Sequence, residues 1–406
     1  MLSRQRLRPL LLAPVLVALA SCSTGSSTSP GAAGNAAPAP GSSSGSSGTV
    51  PATVTAALTA AAQEPTFTAP GPAFDASKAK GKTIMSIPIT SQIPYIVDVD
   101  KVQQQVAGQL GVKWIECSNQ GTVPSWVNCM NQAISQKVDL INLSQLPNPA
   151  NLQPQIKAAR AAGIAVISTH GPDPASYPAG TVPAAGTANL TSYVVGPFVK
   201  VAQLDADYAV SDSGGNANAL IVAPPEVLSA PGHVQAMKDE FSKQCPACKV
   251  TNLEVPISDW GTKLGPQIQA SLTKDPKINY ILPIYDGMVS FAKSAITSAG
   301  RTGKVKIVTY NGNPDALSEM AKSGTVAMDL GESSGWLGLA DLDTELRILS
   351  GVAPIMDQKT PLRAYTKANV GAAGSPPTFD GGFGDSYIKG YSTLWGLSTP
   401  VTVTRY

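Results

Sequence analysis

Short apolar runs alternate with longer amphipathic stretches along most of this chain. Nine runs rich in valine and isoleucine predict β-strands at 83–89, 112–116, 138–143, 165–169, 219–223, 250–255, 280–284, 306–310 and 326–330. Helical stretches fill the intervals near 97–110, 125–136, 150–162, 198–212, 233–243, 261–273, 287–299, 314–322 and 335–350. Such alternation is typical of an α/β fold in which helices cover both faces of a parallel sheet.

The strand runs form two series that separate near residues 172–190. This break predicts two doubly wound, parallel-sheet lobes. Ligands of such sheets bind beyond the carboxyl ends of the strands, where loops lead into helices. Two lobes that face each other would therefore enclose a cleft.

The first residues have the pattern of a secretory signal. Three arginines precede an apolar stretch over 10–20, and small residues lead to Cys22. This ending resembles a bacterial lipobox, so we expect a signal peptide at 1–21 and lipidation of Cys22. The alternative is an ordinary signal peptide followed by a chance cysteine.

The next segment is poor in the residues that build a core. Between 23 and 50, 23 of 28 residues are Gly, Ala, Ser or Pro, and none is charged. Burial of so little apolar surface does not offset the entropy lost on ordering. We therefore expect residues 22–80 to form a disordered tether and folding to begin at residue 81.

Composition argues against several classes of protein. The net charge of +2 and a charged content of 14% give no basic surface for nucleic acid. Two histidines leave no material for a His-rich metal site, and the nucleotide-binding, zinc-protease and serine-hydrolase motifs are absent from the sequence. We expect no cofactor and no metal. Glycoside hydrolysis needs only two carboxylates, so the expectation of no catalytic residue comes from the family resemblance that the motifs below carry.

Four cysteines follow Cys22, and they allow three disulfide connectivities. Proximity in sequence favours Cys117–Cys129 and Cys245–Cys248 in an extracytoplasmic protein. The second pair forms a C-x-x-C motif, which could instead be redox-active. Redox pairs of this kind begin a helix, whereas this pair ends one, so a structural disulfide is favoured.

Several motifs in order carry a resemblance to one family. They are Thr83–Pro88 with Gln92–Tyr95, Val138–Ile141 with Ala158–Val166, Tyr285–Met288 and Tyr310–Asp315. Over residues 82–352 the chain resembles the ribose/galactose-type (type I) periplasmic substrate-binding proteins of bacterial ABC sugar importers, in their lipoprotein form.

The resemblance implies a set of ligand-binding residues. By this resemblance Tyr95 takes the place of an aromatic residue that stacks on the sugar, and Gln92 takes the place of a loop contact. Further contacts are expected at strand ends in both lobes. The implied site residues are Gln92, Tyr95, His170, Trp260, Tyr285, Asp286, Asn311 and Glu332. Sugars offer apolar C–H faces and polar edges, which aromatic, amide and carboxylate groups match.

Structural roles remain open for some of these residues. Trp260 could be a hydrophobic staple, His170 a structural histidine, and Glu332 a hinge or capping residue. His170-Gly171 stands where the family often has Asp-Arg, and a further family arginine is absent from 229–233. The acidic stretch Asp341, Asp343, Glu345 with Arg347 is expected to be a solvated helix face.

The resemblance also implies an organisation and a function. It places 81–195 plus 332–352 in a first lobe and 196–331 plus 353–398 in a second. We expect a monomer, anchored through its lipid to the outer face of the cell membrane, that binds a small sugar or polyol and docks on an ABC permease and its ATPase. A sensory co-receptor and a glycan-active enzyme are the alternatives.

Overall fold

The structure is a computed structural model of the chain, and it describes residues 50–145, 147–172 and 189–405. The predicted signal peptide, Cys22 and the tether as far as residue 49 lie outside the described residues. No helix within the described ranges is long and apolar enough to cross a membrane.

Helices and strands alternate as the sequence pattern predicts. The helices are α1 (Ala52–Ala61), α2 (Pro94–Gln109), α3 (Val123–Gln136), α4 (Gln153–Ala161), α5 (Phe198–Asp212), α6 (Ala230–Gln244), α7 (Gly265–Lys274), α8 (Val289–Ser298), α9 (Pro314–Lys322), α10 (Ser334–Leu349) and α11 (Ser386–Leu394). The strands are β1 (Thr83–Pro88), β2 (Lys113–Glu116), β3 (Leu140–Ser144), β4 (Ala165–Gly171), β5 (Ser192–Val195), β6 (Asn218–Ala223), β7 (Lys249–Glu254), β8 (Tyr280–Pro283), β9 (Lys306–Asn311), β10 (Val326–Glu332) and β11 (Leu362–Thr366).

The strands form two sheets, which confirms the predicted pair of α/β lobes. The first sheet has the order β2-β1-β3-β4-β5 and is parallel throughout. The second has the order β11-β10-β9-β8-β6-β7, in which β11 alone runs antiparallel. Central strands such as β3 and β6 are buried at every residue, because helices cover both faces of each sheet.

All nine predicted strands are present, whereas β5 and β11 were not predicted. Both disulfide predictions are confirmed. Cys117–Cys129 ties the end of β2 to α3, and Cys245–Cys248 closes the turn between α6 and β7.

The tether prediction is wrong for residues 50–80. Helix α1 packs against α5 and β11, and Val54 is fully buried. Farther along, the ring of Phe67 lies 5.0 Å from that of Tyr391, and the backbone N–H of Phe74 donates to Leu394 O at 2.8 Å. A few well-spaced apolar side chains thus anchor a segment whose overall composition is that of a linker.

Helix α10 is not the solvated helix that its charges suggested. Asp341, Asp343, Glu345 and Arg347 are all fully buried. One side of α10 packs against α2 and the first sheet, and α11 together with the N-terminal segment covers it further. The carboxylate of Asp343 pairs with Arg347 Nε at 2.7 Å and accepts a hydrogen bond from the indole N–H of Trp395 at 2.9 Å.

The prediction placed residues 353–398 in the second lobe, but the C-terminal tail does not stay there. Strand β11 joins the second sheet, but α11 packs against α10. Beyond α11, Gln105 and Gln109 of α2 bond to the backbone of Thr404 and Thr402. The tail therefore crosses from the second sheet to the layer of the first.

Candidate functional site

The predicted site residues lie at the carboxyl ends of strands in both sheets. Gln92 and Tyr95 follow β1, and His170 is near the end of β4 in the first sheet. In the second sheet, Trp260 follows β7, Tyr285 and Asp286 follow β8, Asn311 ends β9 and Glu332 ends β10. This is where parallel sheets place their ligand-binding groups.

The carboxylate of Glu332 joins groups from the two sheets. Its Oε2 lies 3.0 Å from His170 Nε2 and 3.4 Å from the hydroxyl of Tyr95, both on the first-sheet side. The hydroxyl of Tyr310, on β9, also donates to Oε2 and lies 3.3 Å from His170 Nε2. We call these four residues, Tyr95, His170, Tyr310 and Glu332, the Glu332 cluster; each is at most 5% exposed.

Burial and charge set the protonation of this cluster. Burial opposes a charge on His170, but the neighbouring carboxylate of Glu332 outweighs it and raises the pKa of the imidazole above its usual 6.5. Burial, reinforced by Glu332, also raises the pKa of the Tyr95 and Tyr310 hydroxyls. Both tyrosines therefore keep their protons and act as donors to Glu332.

Three local features define the position of His170 in the cluster. Its φ of 55° lies in the left-handed region, which residues other than glycine rarely adopt. The next residue must be glycine, because a Cβ on Gly171 would lie 2.0 Å from the hydroxyl oxygen of Tyr193. The ring of Phe198, at the start of α5, packs on the imidazole with centroids 4.8 Å apart.

Trp260 and Tyr285 form an aromatic pair on the second-sheet side. Their ring centroids are 5.5 Å apart, and Phe291 lies behind Trp260 at 6.5 Å. The indole N–H donates to Val255 O at 3.1 Å, which fixes the orientation of the ring. Both residues stay partly exposed, with their rings tilted by 48° to each other, so some apolar surface remains for the C–H face of a ligand.

The remaining predicted residues stand apart from the Glu332 cluster. Gln92 is exposed in the loop before α2. Asp286 is buried, and both its carboxylate oxygens accept hydrogen bonds from within the protein, from Thr309 and from the backbone of Asn313. Asn311 is partly exposed, with a φ of 123°.

Tyr310 and Phe198 contact predicted site residues, and sequence reasoning missed both of them. Tyr310 lies one residue before Asn311, at the end of a predicted strand, so its position alone could have marked it. Phe198 begins the helix that follows the passage between the sheets, and no local pattern distinguishes it from a core residue. Among residues 50–145, 147–172 and 189–405, no group of His, Cys, Asp or Glu is placed to hold a metal ion.

The fold and the site together define a class of binding protein. Residues 84–344 match the family model described as periplasmic binding protein domain, so the chain belongs to this family. The two parallel-sheet lobes are its type I fold.

Particular proteins resemble this chain in sequence or in structure. The chain is 26% identical over 235 residues to the D-ribose/D-allose-binding protein of Pseudomonas aeruginosa, an alignment that covers 57% of this chain and 69% of that protein. A solute-binding protein from Actinobacillus succinogenes with bound D-allose has a TM-score of 0.62 at 20% identity, with 71% of this chain and 99% of that chain covered. One from Agrobacterium vitis with bound allitol has a TM-score of 0.61 at 22% identity, covering 72% and 97%.

Proposed function

We propose that this protein captures a neutral sugar or polyol between its two sheets and delivers it to an ABC importer. The Glu332 cluster carries the proposal, because it brings hydrogen-bonding groups from both sheets to one place. The partly exposed rings of Trp260 and Tyr285 add an apolar surface. Relatives with bound D-allose and allitol support this ligand class.

The charge of the site favours an uncharged ligand. A buried carboxylate stands at its centre, and neither lysine nor arginine takes part in the Glu332 cluster within the described ranges. An anionic sugar would add a second negative charge to a cluster whose one basic side chain, His170, already pairs with Glu332, and such an excess charge is costly in a buried site. The departure from the family's Asp-Arg pair at His170-Gly171 agrees with a ligand other than ribose.

Ligand binding is proposed to bring two lobes together. The first lobe is 81–195 with 332–352, and the second is 196–331 with 353–398. Helix α11 falls within the second range but packs on α10, so it is left out of the second lobe. The ligand stabilises the closed form, which the permease and ATPase of the importer recognise. The protein acts as a monomer.

We further propose that the mature chain begins at a lipidated Cys22 and is held at the outer face of the membrane by the tether. The lipobox-like residues before Cys22 and the uncharged stretch after it support this. Cells fed radioactive palmitate should label the wild-type protein and not the Cys22→Ser variant. Equal labelling of both would rule out this attachment site.

A thermal-shift panel of sugars and polyols tests the function. A ligand at 100 times its Kd adds about 2.7 kcal/mol to the free energy of unfolding. Trp260→Ala and Asn311→Ala should each weaken binding without unfolding the protein. Lys263→Ala, an exposed position beside Trp260, is the matched control. Absence of a shift across a broad panel, or full affinity in both site variants, would contradict the proposal.

A further inference from the structure

Two buried carboxyl groups lie beneath the loop that follows β9. Asp286 is in the turn after β8, and Asp329 is on β10, so the two flank β9 from either side in the sheet. The backbone N–H of Asn313 donates to Asp286 Oδ2 at 2.7 Å, and that of Gly312 donates to Asp329 Oδ1 at 3.0 Å. The carboxyl groups thus hold consecutive backbone amides of one loop.

The other two oxygens of the pair differ. Asp286 Oδ1 accepts from the hydroxyl of Thr309 at 2.9 Å, so both its oxygens have a donor. Asp329 Oδ2 is buried and accepts from no donor within the described part of the chain, and its carboxyl faces Asp286. This asymmetry is what one expects when Asp286 is the acceptor and Asp329 carries a proton.

The surroundings favour such a shared proton. Burial raises the pKa of Asp286 to about 7 and that of Asp329 well above the ordinary range, the latter reinforced by its partner. Asp205 of α5 also faces both carboxyl groups, and its own pKa is raised by burial. The hydroxyl of Tyr365 on β11 is the other titratable group facing Asp329. Two adjacent carboxylates here would repel each other with little solvation.

The loop needs this support because its backbone is in an unfavourable conformation. Asn311 has a φ of 123°, and Gly312 has a φ of 71°. A Cβ on Gly312 would lie 2.8 Å from the Cα of Gly331, so this position admits glycine alone. An asparagine with positive φ costs conformational free energy, and fixed partners must hold it there.

We propose that Asp286 and Asp329 share one proton, donated from Asp329 to Asp286, and act as positioning residues that present Asn311 to the ligand. The presentation of Asn311 rests on the function proposed above. The clamp on the amides of Gly312 and Asn313 is a property of the ligand-free protein and can be tested without a ligand.

The two aspartates should respond differently to the same substitution. In Asp329→Asn the amide oxygen still accepts from Gly312, and the NH₂ group donates to Asp286 in place of the shared proton. In Asp286→Asn one oxygen must serve both Thr309 and Asn313, which leaves a buried donor unpaired. Asp205→Asn is the control, a buried carboxyl without a bond to the loop in the structure as described.

Amide hydrogen exchange at Gly312 and Asn313 measures directly how well the two carboxyl groups hold these backbone N–H groups. Asp286→Asn should raise the exchange rate of Asn313 by about tenfold or more, whereas Asp329→Asn should keep both amides protected. In the wild type and in Asp205→Asn, protection should fall as the pH rises and the shared proton is lost. Asp329→Asn should abolish this pH dependence.

Several results would overturn the proposal. They are unchanged exchange in Asp286→Asn, deprotection in Asp329→Asn, or a pH dependence removed by Asp205→Asn. If Asp286→Asn does not fold, the pH dependence in the wild type and its loss in Asp329→Asn still decide the matter. Calorimetric titration with D-allose adds the ligand: affinity should fall in Asp286→Asn and persist in Asp329→Asn. A wild type with the expected exchange pattern but no affinity for any sugar or polyol would contradict the proposed function and leave the clamp intact.

Discussion

Replacing Glu332 by glutamine removes one negative charge from the Glu332 cluster and keeps the size of the side chain. The imidazole of His170 loses the carboxylate that lies 3.0 Å away. Burial then lowers the pKa of His170 with only Asp341 to oppose it, and Asp341 raises that pKa by less than Glu332 does. We expect the pKa of His170 to fall below 6.5 in Glu332→Gln.

The size of the effect follows from the geometry. Coulomb's law gives about 5.5 kcal/mol for unit charges 3.0 Å apart at an effective dielectric constant of ~20. Loss of one partner of a buried pair costs ~3–5 kcal/mol in proteins. Because the folded-state pKa of His170 is raised, this stabilisation is complete below pH 6.5 and is lost as the pH rises through that pKa. Glu332→Gln should therefore destabilise the protein more at pH 6 than at pH 9.

The chain offers a clean assay, because it contains only two histidines, His170 and His233. Burial lowers the pKa of His233 to about 3, so its NMR signal should not titrate near neutrality and serves as an internal control. Asp341→Asn should lower the pKa of His170 by less than Glu332→Gln does. A His170 signal that titrates at the same pH in the wild type and in Glu332→Gln would refute the reasoning.

Two further predictions concern the covering segments and the buried acids. A Cβ on Gly390 would lie 2.1 Å from the ring of Phe67, so Gly390→Ala should displace the N-terminal segment and speed its proteolysis. Gly371→Ala, where a Cβ meets nothing within 4 Å, should cleave like the wild type, and equal rates in both variants would contradict this packing. Burial raises the pKa of Asp98 and Asp207 to about 6. The contribution of these two carboxyl groups to the free energy of unfolding should fall as the pH rises from 4 to 6. Urea unfolding of the double asparagine variant should therefore show a weaker pH dependence of that free energy. An unchanged slope of unfolding free energy against pH would contradict this prediction.

Much of the fold could be predicted because its strands are buried on both faces. Such strands appear in the sequence as continuous apolar runs, and their alternation with helices is nearly sufficient for a parallel sheet. Tyr95, His170 and Glu332 were proposed from the family resemblance, and the structure places each of them at or beyond the carboxyl end of a strand. The disulfides followed from short sequence separations.

The rest depended on contacts between distant segments. Asp341 and Arg347 have the spacing of a solvated helix face, and nothing local shows that α11 and the N-terminal segment cover them. Strand β5 has only four residues, and β11 lies in the tail beyond the familiar motifs. Tyr310 was missed because its role depends on Glu332, which belongs to a different strand.

The covering of α10 means that the unit that folds is larger than the unit that is shared with relatives. A chain cut to the matched residues 84–344 would lack both the N-terminal segment and α11. Arg347 and Trp395, which donate to Asp343, would be removed together with Pro72, whose carbonyl oxygen accepts from Arg347, and the buried Asp343 carboxylate would lose these partners. The N-terminal segment and α11 therefore act together as one cover for α10, and we expect a stable folded unit to run from about residue 50 to the C-terminal residues that bond to α2.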